Sequence, residues 1–140
     1  MPKTVLTNAF VEIDGTNLSN NFQSVTITSE GEDQDVTGFG PAEYREYITG
    51  FKNGSITGTA FQDYAAASLD AVLWPHHESG GTFGVVVRPD AGVASSTNPE
   101  YTMTCRLPSY SPLAGDVGSA NTVDINFVNG GTAGLLRGTA

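Results

Sequence analysis

The chain has 140 residues, 39% hydrophobic and 15% charged, with 15 acidic residues against 6 basic ones and a formal net charge of −9. That length holds one domain around one core, read here as spanning 1–140. The acid excess excludes a surface built to attract DNA or anionic lipid, and a lone cysteine, Cys105, excludes an intrachain disulfide.

Charged residues fall well below the usual quarter, and 17 glycines accompany many Thr, Ser and Asn residues. This mix predicts a mainly β protein with many turns. Residues 1–7 carry no long apolar core, so no signal peptide is expected, and they read as an N-terminal arm. No apolar run approaches the ~18 residues of a membrane span, so no membrane insertion is expected. A soluble protein made in the cytoplasm is the expectation.

In chain order, Ala9 to Asp14 alternates, with Val11 and Ile13 on one face and Phe10 and Glu12 on the other. Asp14-Gly15-Thr16-Asn17 reads as a turn. Phe22 to Thr28 alternates again, and the two runs suggest an antiparallel pair. Glu30, Glu32, Asp33 and Asp35 read as an acidic turn, followed by a short strand, Asp35 to Phe39, that Gly40-Pro41 breaks. Residues 38–51 show no clean period and read as a long hairpin or loop. Asn53-Gly54 carries a hairpin-turn signal, and Ser55 to Phe61 reads as a strand.

A helix is predicted over about 63–74. Asp63 is placed as its N-cap, Ala65, Leu69, Val72 and Leu73 as its apolar stripe, and Pro75 as its stop. At that length it must lie against a sheet. Thr82 to Arg88 contains Val85-Val86-Val87 and reads as a central strand. Tyr101 to Tyr110 follows, with Cys105 on its apolar side as a buried, inert thiol. Asn121 to Val128 alternates cleanly. Residues 129–140 form a glycine-rich tail with little internal reason to fold alone. The expected fold is an antiparallel β-sandwich or barrel of about seven strands with one short flanking helix.

Candidate chemistry is sparse. His76 and His77 are adjacent, so in an extended segment they point apart, and they read as a polar turn after the helix rather than a metal site. The acidic run lacks the residue order of a calcium loop. Nucleophile elbows, phosphate loops and paired cysteines are not present in the sequence, so no catalysis and no cofactor are expected. Tyr44, Tyr47 and Phe51, with Arg45, have the composition of an interface anchor, a carbohydrate platform or ordinary hairpin packing.

Several segments resemble, in order and over nearly the whole chain, the tail tube (major tail) proteins of long-tailed bacteriophages. They are Asp35-Val36-Thr37, Gly50-Phe51-Lys52-Asn53, Phe61-Gln62-Asp63-Tyr64-Ala65-Ala66, Val87-Arg88-Pro89, Ser96 through Thr102, and Arg137-Gly138-Thr139-Ala140. The sequence departs from the family's pattern at Trp74 and at His76-His77, where an apolar residue and a glycine are usual. The resemblance implies a virion protein without catalytic residues, whose hexameric rings stack into a tube for genome passage. Its partners would be itself, other tail proteins and viral DNA in transit, with assembly in the host cytoplasm.

Ring-to-ring contact is then expected at Pro41, Tyr44, Arg45, Tyr47 and Phe51. Duplex DNA carries one negative charge per ~1.7 Å of axis, so a basic channel would grip it and an acidic one would let it slide. Some of Glu12, Asp14, Glu30, Glu32, Asp33, Asp35 and Asp124 are therefore expected to face the channel. A capsid decoration protein and a host-surface or carbohydrate-binding β-module are the alternative functions.

Overall fold

Alternating apolar residues need a shared interior, and here one antiparallel sheet supplies it by folding over on itself. The computed structural model describes residues 5–40 and 43–139. Pro41 and the first four residues of the N-terminal arm lie outside the described residues. The strands are β1 (Phe10–Ile13), β2 (Thr16–Asn17), β3 (Phe22–Asp35), β4 (Tyr47–Phe61), β5 (Phe83–Arg88), β6 (Glu100–Arg106), β7 (Thr122–Asn129) and β8 (Leu136–Gly138). Helix α1 (Leu69–Ser79) lies between β4 and β5.

The strand order is β2-β1-β5-β6-β7-β4-β3, with β8 added to β6. β6 meets β7 only at Cys105↔Asn129 and Arg106↔Val128, which makes this junction the fold line. Val11, Ile13, Val85, Val87, Met103 and Cys105 come from one half of the sheet. Ile56, Ala60, Val123, Ile125 and Phe127 come from the other, and all belong to one buried cluster. Phe83 and Phe127 join the halves edge to face, with ring centroids 5.7 Å apart. The expected mainly β fold with one flanking helix is what forms.

Pairing differs from the local reading. β1 pairs with β2 and β5, while β3 pairs with β4, so the first two predicted strands are not partners. The β1–β2 connection explains this. Asp14 (φ 51°) and Gly15 (φ 80°) are both left-handed, and Ile13 faces Thr16, which makes a tight two-residue hairpin. That turn uses up β1's second edge on the two-residue β2.

Asn53-Gly54 is strand interior rather than a turn, with Glu30↔Asn53 and Ser29↔Gly54 in register. A Cβ on Gly54 would sit 3.1 Å from Met103 Sδ and 3.4 Å from Leu135 Cβ. The glycine is there because the opposite half of the sheet approaches closely. Gly58 is tighter still, since a Cβ would lie 2.6 Å from the Ser24 carbonyl oxygen. Gly58→Ala is expected to lower stability by about 1–3 kcal/mol, measured as a drop in thermal midpoint.

The helix starts and ends later than predicted. Asp63 caps a turn instead: its carboxylate accepts the Ala65 N–H at 2.9 Å and the Ser68 hydroxyl at 2.7 Å. Ala67 is left-handed (φ 59°), which excludes helix through 63–68. Ser68 becomes the N-cap, and Gly80 (φ 70°) closes the C-terminus with its N–H on the His76 carbonyl. Pro75 lies inside the helix and does not stop it. The carbonyl it leaves unpaired belongs to exposed Ala71, where water can reach it. Leu69 and Leu73 are fully buried and Val72 packs beside them, but Ala65 is exposed outside the helix. The stripe therefore loses its first member.

The hydrogen bonds from Ser68, then Ala65, hold the Asp63 carboxyl below its ordinary value. A depressed pKa stabilises the folded state above the unfolded value, and the effect fades as pH falls through the folded value. Asp63→Asn should thus melt earlier than the parent at neutral pH, with the gap closing in acid. A gap that stays constant down to the acid limit would show that the charge plays no part.

The tail is also more tied down than its composition suggests. Leu135 packs on the core, and β8 pairs with β6 through Glu100↔Gly138, Tyr101↔Arg137 and Thr102↔Leu136.

Candidate assembly surfaces

Strand length creates the most distinctive surface. β7 accompanies β4 only from Phe61 back to Ser55. Beyond that point β4 and β3 pair only with each other, out to Asp35↔Tyr47. The acidic segment 30–35 is the end of β3, not a turn, and residues 29–35 and 47–53 are all exposed. The result is a two-stranded ribbon projecting beyond the sheet. Its tip carries Arg45 bonded to Asp35 at 2.7 Å. Thr37, through its hydroxyl and N–H, and then Arg45 hold the Asp35 carboxyl below its usual range.

A free two-stranded ribbon is marginally stable in water. This one exposes Phe39, Tyr44, Tyr47, Ile48 and Phe51, with Phe51 87% and Tyr44 83% accessible. The predicted contact residues Tyr44, Arg45, Tyr47 and Phe51 are thus brought together on one projection. Ile48 belongs with them, and sequence reasoning missed it. The missing signal is understandable, because a ribbon exposed on both sides has no apolar alternation.

The seven predicted channel acids do not share a face. Val11 and Ile13 point inward, so Glu12 lies on the outer side of β1, beside Val86 of β5. Asp124 lies on the outer side of β7 and accepts the Thr59 hydroxyl at 2.8 Å. Alternation along β3 sends Glu30 and Glu32 to the Asp124 side, and Asp33 and Asp35 to the other. A register shift between Gly31 and Asp33 accommodates the extra residue on β4. Asp14 sits in the β1–β2 turn and accepts a hydrogen bond from His76 Nε2 at 3.0 Å.

Both histidines are structural in this arrangement. His76 also stacks on Phe83 at 4.3 Å, and His77 Nδ1–H donates to the Leu107 carbonyl at 3.0 Å. They occupy the last helical turn rather than a loop beyond it. Cys105 is fully buried, and desolvation pushes its thiol up to about 12. Among the described residues, no three His, Cys, Asp or Glu side chains are grouped to hold a metal ion.

The same architecture occurs in known assemblies. One chain of the virion of a native gene transfer agent particle superposes with a TM-score of 0.75 over 96% of this chain and 98% of that one, at 17% identity. A chain from the tail of the empty gene transfer agent particle, of C6 symmetry, gives 0.71 over 95% of each chain at 18% identity. The SPP1 tail tube gives 0.66 over 95% of this chain and 76% of that one, at 14% identity. The chain has the tail tube fold. No protein-family model matches its sequence, and no curated protein matches it.

Within the tail tube fold, α1 contributes Leu69 and Leu73 to the core, with Val72 packed against it. Tyr110 donates its hydroxyl to Asp70 at 2.8 Å and accepts from Gln62 at 2.9 Å. Burial, reinforced by Asp70, pushes the Tyr110 phenol upward. Beside this network Tyr64, Asp70, Trp74, Pro112 and Leu113 line an open hollow of about 510 Å³. Tyr64, Trp74 and Leu113 are exposed there, Leu113 at 78%.

Proposed function

We propose that the chain is a tail tube subunit, a structural and non-enzymatic protein whose rings stack into a channel for genome passage. The superposition over nearly the full length of tail chains carries this reading, and the projecting ribbon supports it. A monomer gains nothing from an exposed aromatic ribbon, whereas a neighbour can cover it. The rings are hexameric, the subunits join other tail proteins, and assembly takes place in the host cytoplasm before incorporation into the virion tail.

Charge selects the channel wall. The outer face of β7, β4 and β3 presents Asp124, Asn126, Thr57, Thr59, Ser24 and Thr26, and continues to Glu30 and Glu32 with no cation among its described strand residues. The outer face of β1, β5 and β6 carries Glu12 and Glu100 but also the cations Arg88 and Arg106. Arg88 is held by Glu100 at 3.6 Å, but DNA phosphates passing within the screening length of ~8 Å would be attracted by Arg106, which has no such partner among the described residues. The Asp124 face is therefore the channel wall, with Asp124, Glu30 and Glu32 its acids.

Electron microscopy of the purified protein tests the function. Rings or tubes with a central channel are expected. A protein that stays monomeric at high concentration and is absent from tails of the parent particle would falsify the reading. The decoration alternative predicts binding to capsids instead, and the carbohydrate alternative predicts glycan binding by the isolated monomer.

A further inference from the structure

We propose that the hollow formed by Tyr64, Trp74 and Leu113 receives the Tyr47 and Lys52 side of a second copy's ribbon. The inference rests on the tube reading and names the receiving surface.

A heterologous contact that propagates needs two unlike surfaces on each subunit. Exposed large apolar side chains gather at the ribbon and again at the helix end, where Tyr64, Trp74 and Leu113 surround the hollow. The hollow's charged member is Asp70, whose Oδ1 is taken by the Tyr110 hydroxyl. Its second oxygen leaves the rim acidic, so the rim discriminates between the ribbon's two sides.

The register defines those sides. Gly31 pairs with Lys52, Asp33 with Thr49 and Asp35 with Tyr47. A Cβ on Gly31 would meet Thr49 Cγ2 and Lys52 Cγ, which places Thr49 and Lys52 on the same side. This side carries Tyr47, Lys52 and Arg45 against Asp33 and Asp35, two cations and two anions. The opposite side carries Phe51 and Ile48 with Glu30 and Glu32, two anions and no cation. Arg45 is already held by Asp35, while Lys52 forms no ion pair among the described residues. An acidic rim repels the Glu30 and Glu32 side and accepts the side with the uncommitted lysine. Ribbon-to-ribbon contact is disfavoured by the same charges, because it would stack these carboxylates on their copies.

Trp74 is the single tryptophan, 44% exposed, so it reports directly on the hollow. In assembled wild-type protein its emission should shift to shorter wavelength and lose most of its quenching by acrylamide. Mixing Tyr47→Cys protein with Leu113→Cys protein of different tag mass, then oxidising, should give the mixed disulfide as the main cross-link. Cys105 is buried and does not compete. Lys52→Glu should raise the concentration needed for assembly about tenfold. Tubes in which Trp74 stays as quenchable as in the monomer, or that cross-link only Tyr47→Cys to itself, overturn this contact and leave the tube reading intact. Absence of any rings or tubes from wild-type protein overturns the tube reading first.

Discussion

Leu69→Asp should yield no folded protein, seen as loss of the β-type circular dichroism and of any thermal transition. Leu69 is 0% exposed and packs with Leu73 against a core shared by both halves of the sheet. Removing a buried leucine side chain costs about 2–5 kcal/mol. Leaving an unpaired carboxylate in an apolar site adds several kcal/mol more, or forces it to take up a proton. A domain of this kind has only about 5–15 kcal/mol in reserve. Ala65→Asp is the matched control, since Ala65 is exposed and outside the helix. Its effect should stay within about 0.5 kcal/mol. A folded Leu69→Asp protein that still assembles would show that the helix does not seal the core.

The second large effect concerns assembly alone. Tyr47→Ala combined with Phe51→Ala should leave the melting temperature of the monomer nearly unchanged, because both rings are exposed, at 56% and 87%. Assembly should fail. An aromatic anchor buried at an interface costs about 2 kcal/mol or more when truncated, so losing Tyr47 weakens the contact at the hollow roughly thirtyfold, and losing Phe51 strips the ribbon's other side as well. Sedimentation and electron microscopy read the result. Normal tubes from the double variant would remove the ribbon from the interface. A lowered melting temperature in the monomer would instead mean that the rings pack within their own chain.

Residues that alternate against a shared interior were legible in the chain. Val11 and Ile13, Val85 and Val87, Met103 and Cys105, and Val123, Ile125 and Phe127 all point where a period of two places them. The ribbon was legible only in part. Tyr44, Arg45, Tyr47 and Phe51 stand out by composition, but residues 30–35 look like a turn because a strand exposed on both sides keeps no apolar rhythm. Local chemistry also misplaced the helix. Asp63 is a good N-cap by type, yet its carboxylate is occupied by Ala65 and Ser68, and Ala67 turns left-handed before Leu69 begins the helix.

The sequence by itself determined an acidic, mainly β fold with one short helix, because composition and alternation are local properties that survive without a partner. The tertiary structure alone decided which strands pair and where the sheet folds over at Cys105 and Arg106. It also decided that Gly54 serves close approach between the two halves of the sheet rather than a turn. The same holds for dividing Glu12 from Asp124 onto opposite outer faces. Those features depend on contacts between residues far apart in the chain, and local propensity carries no information about them.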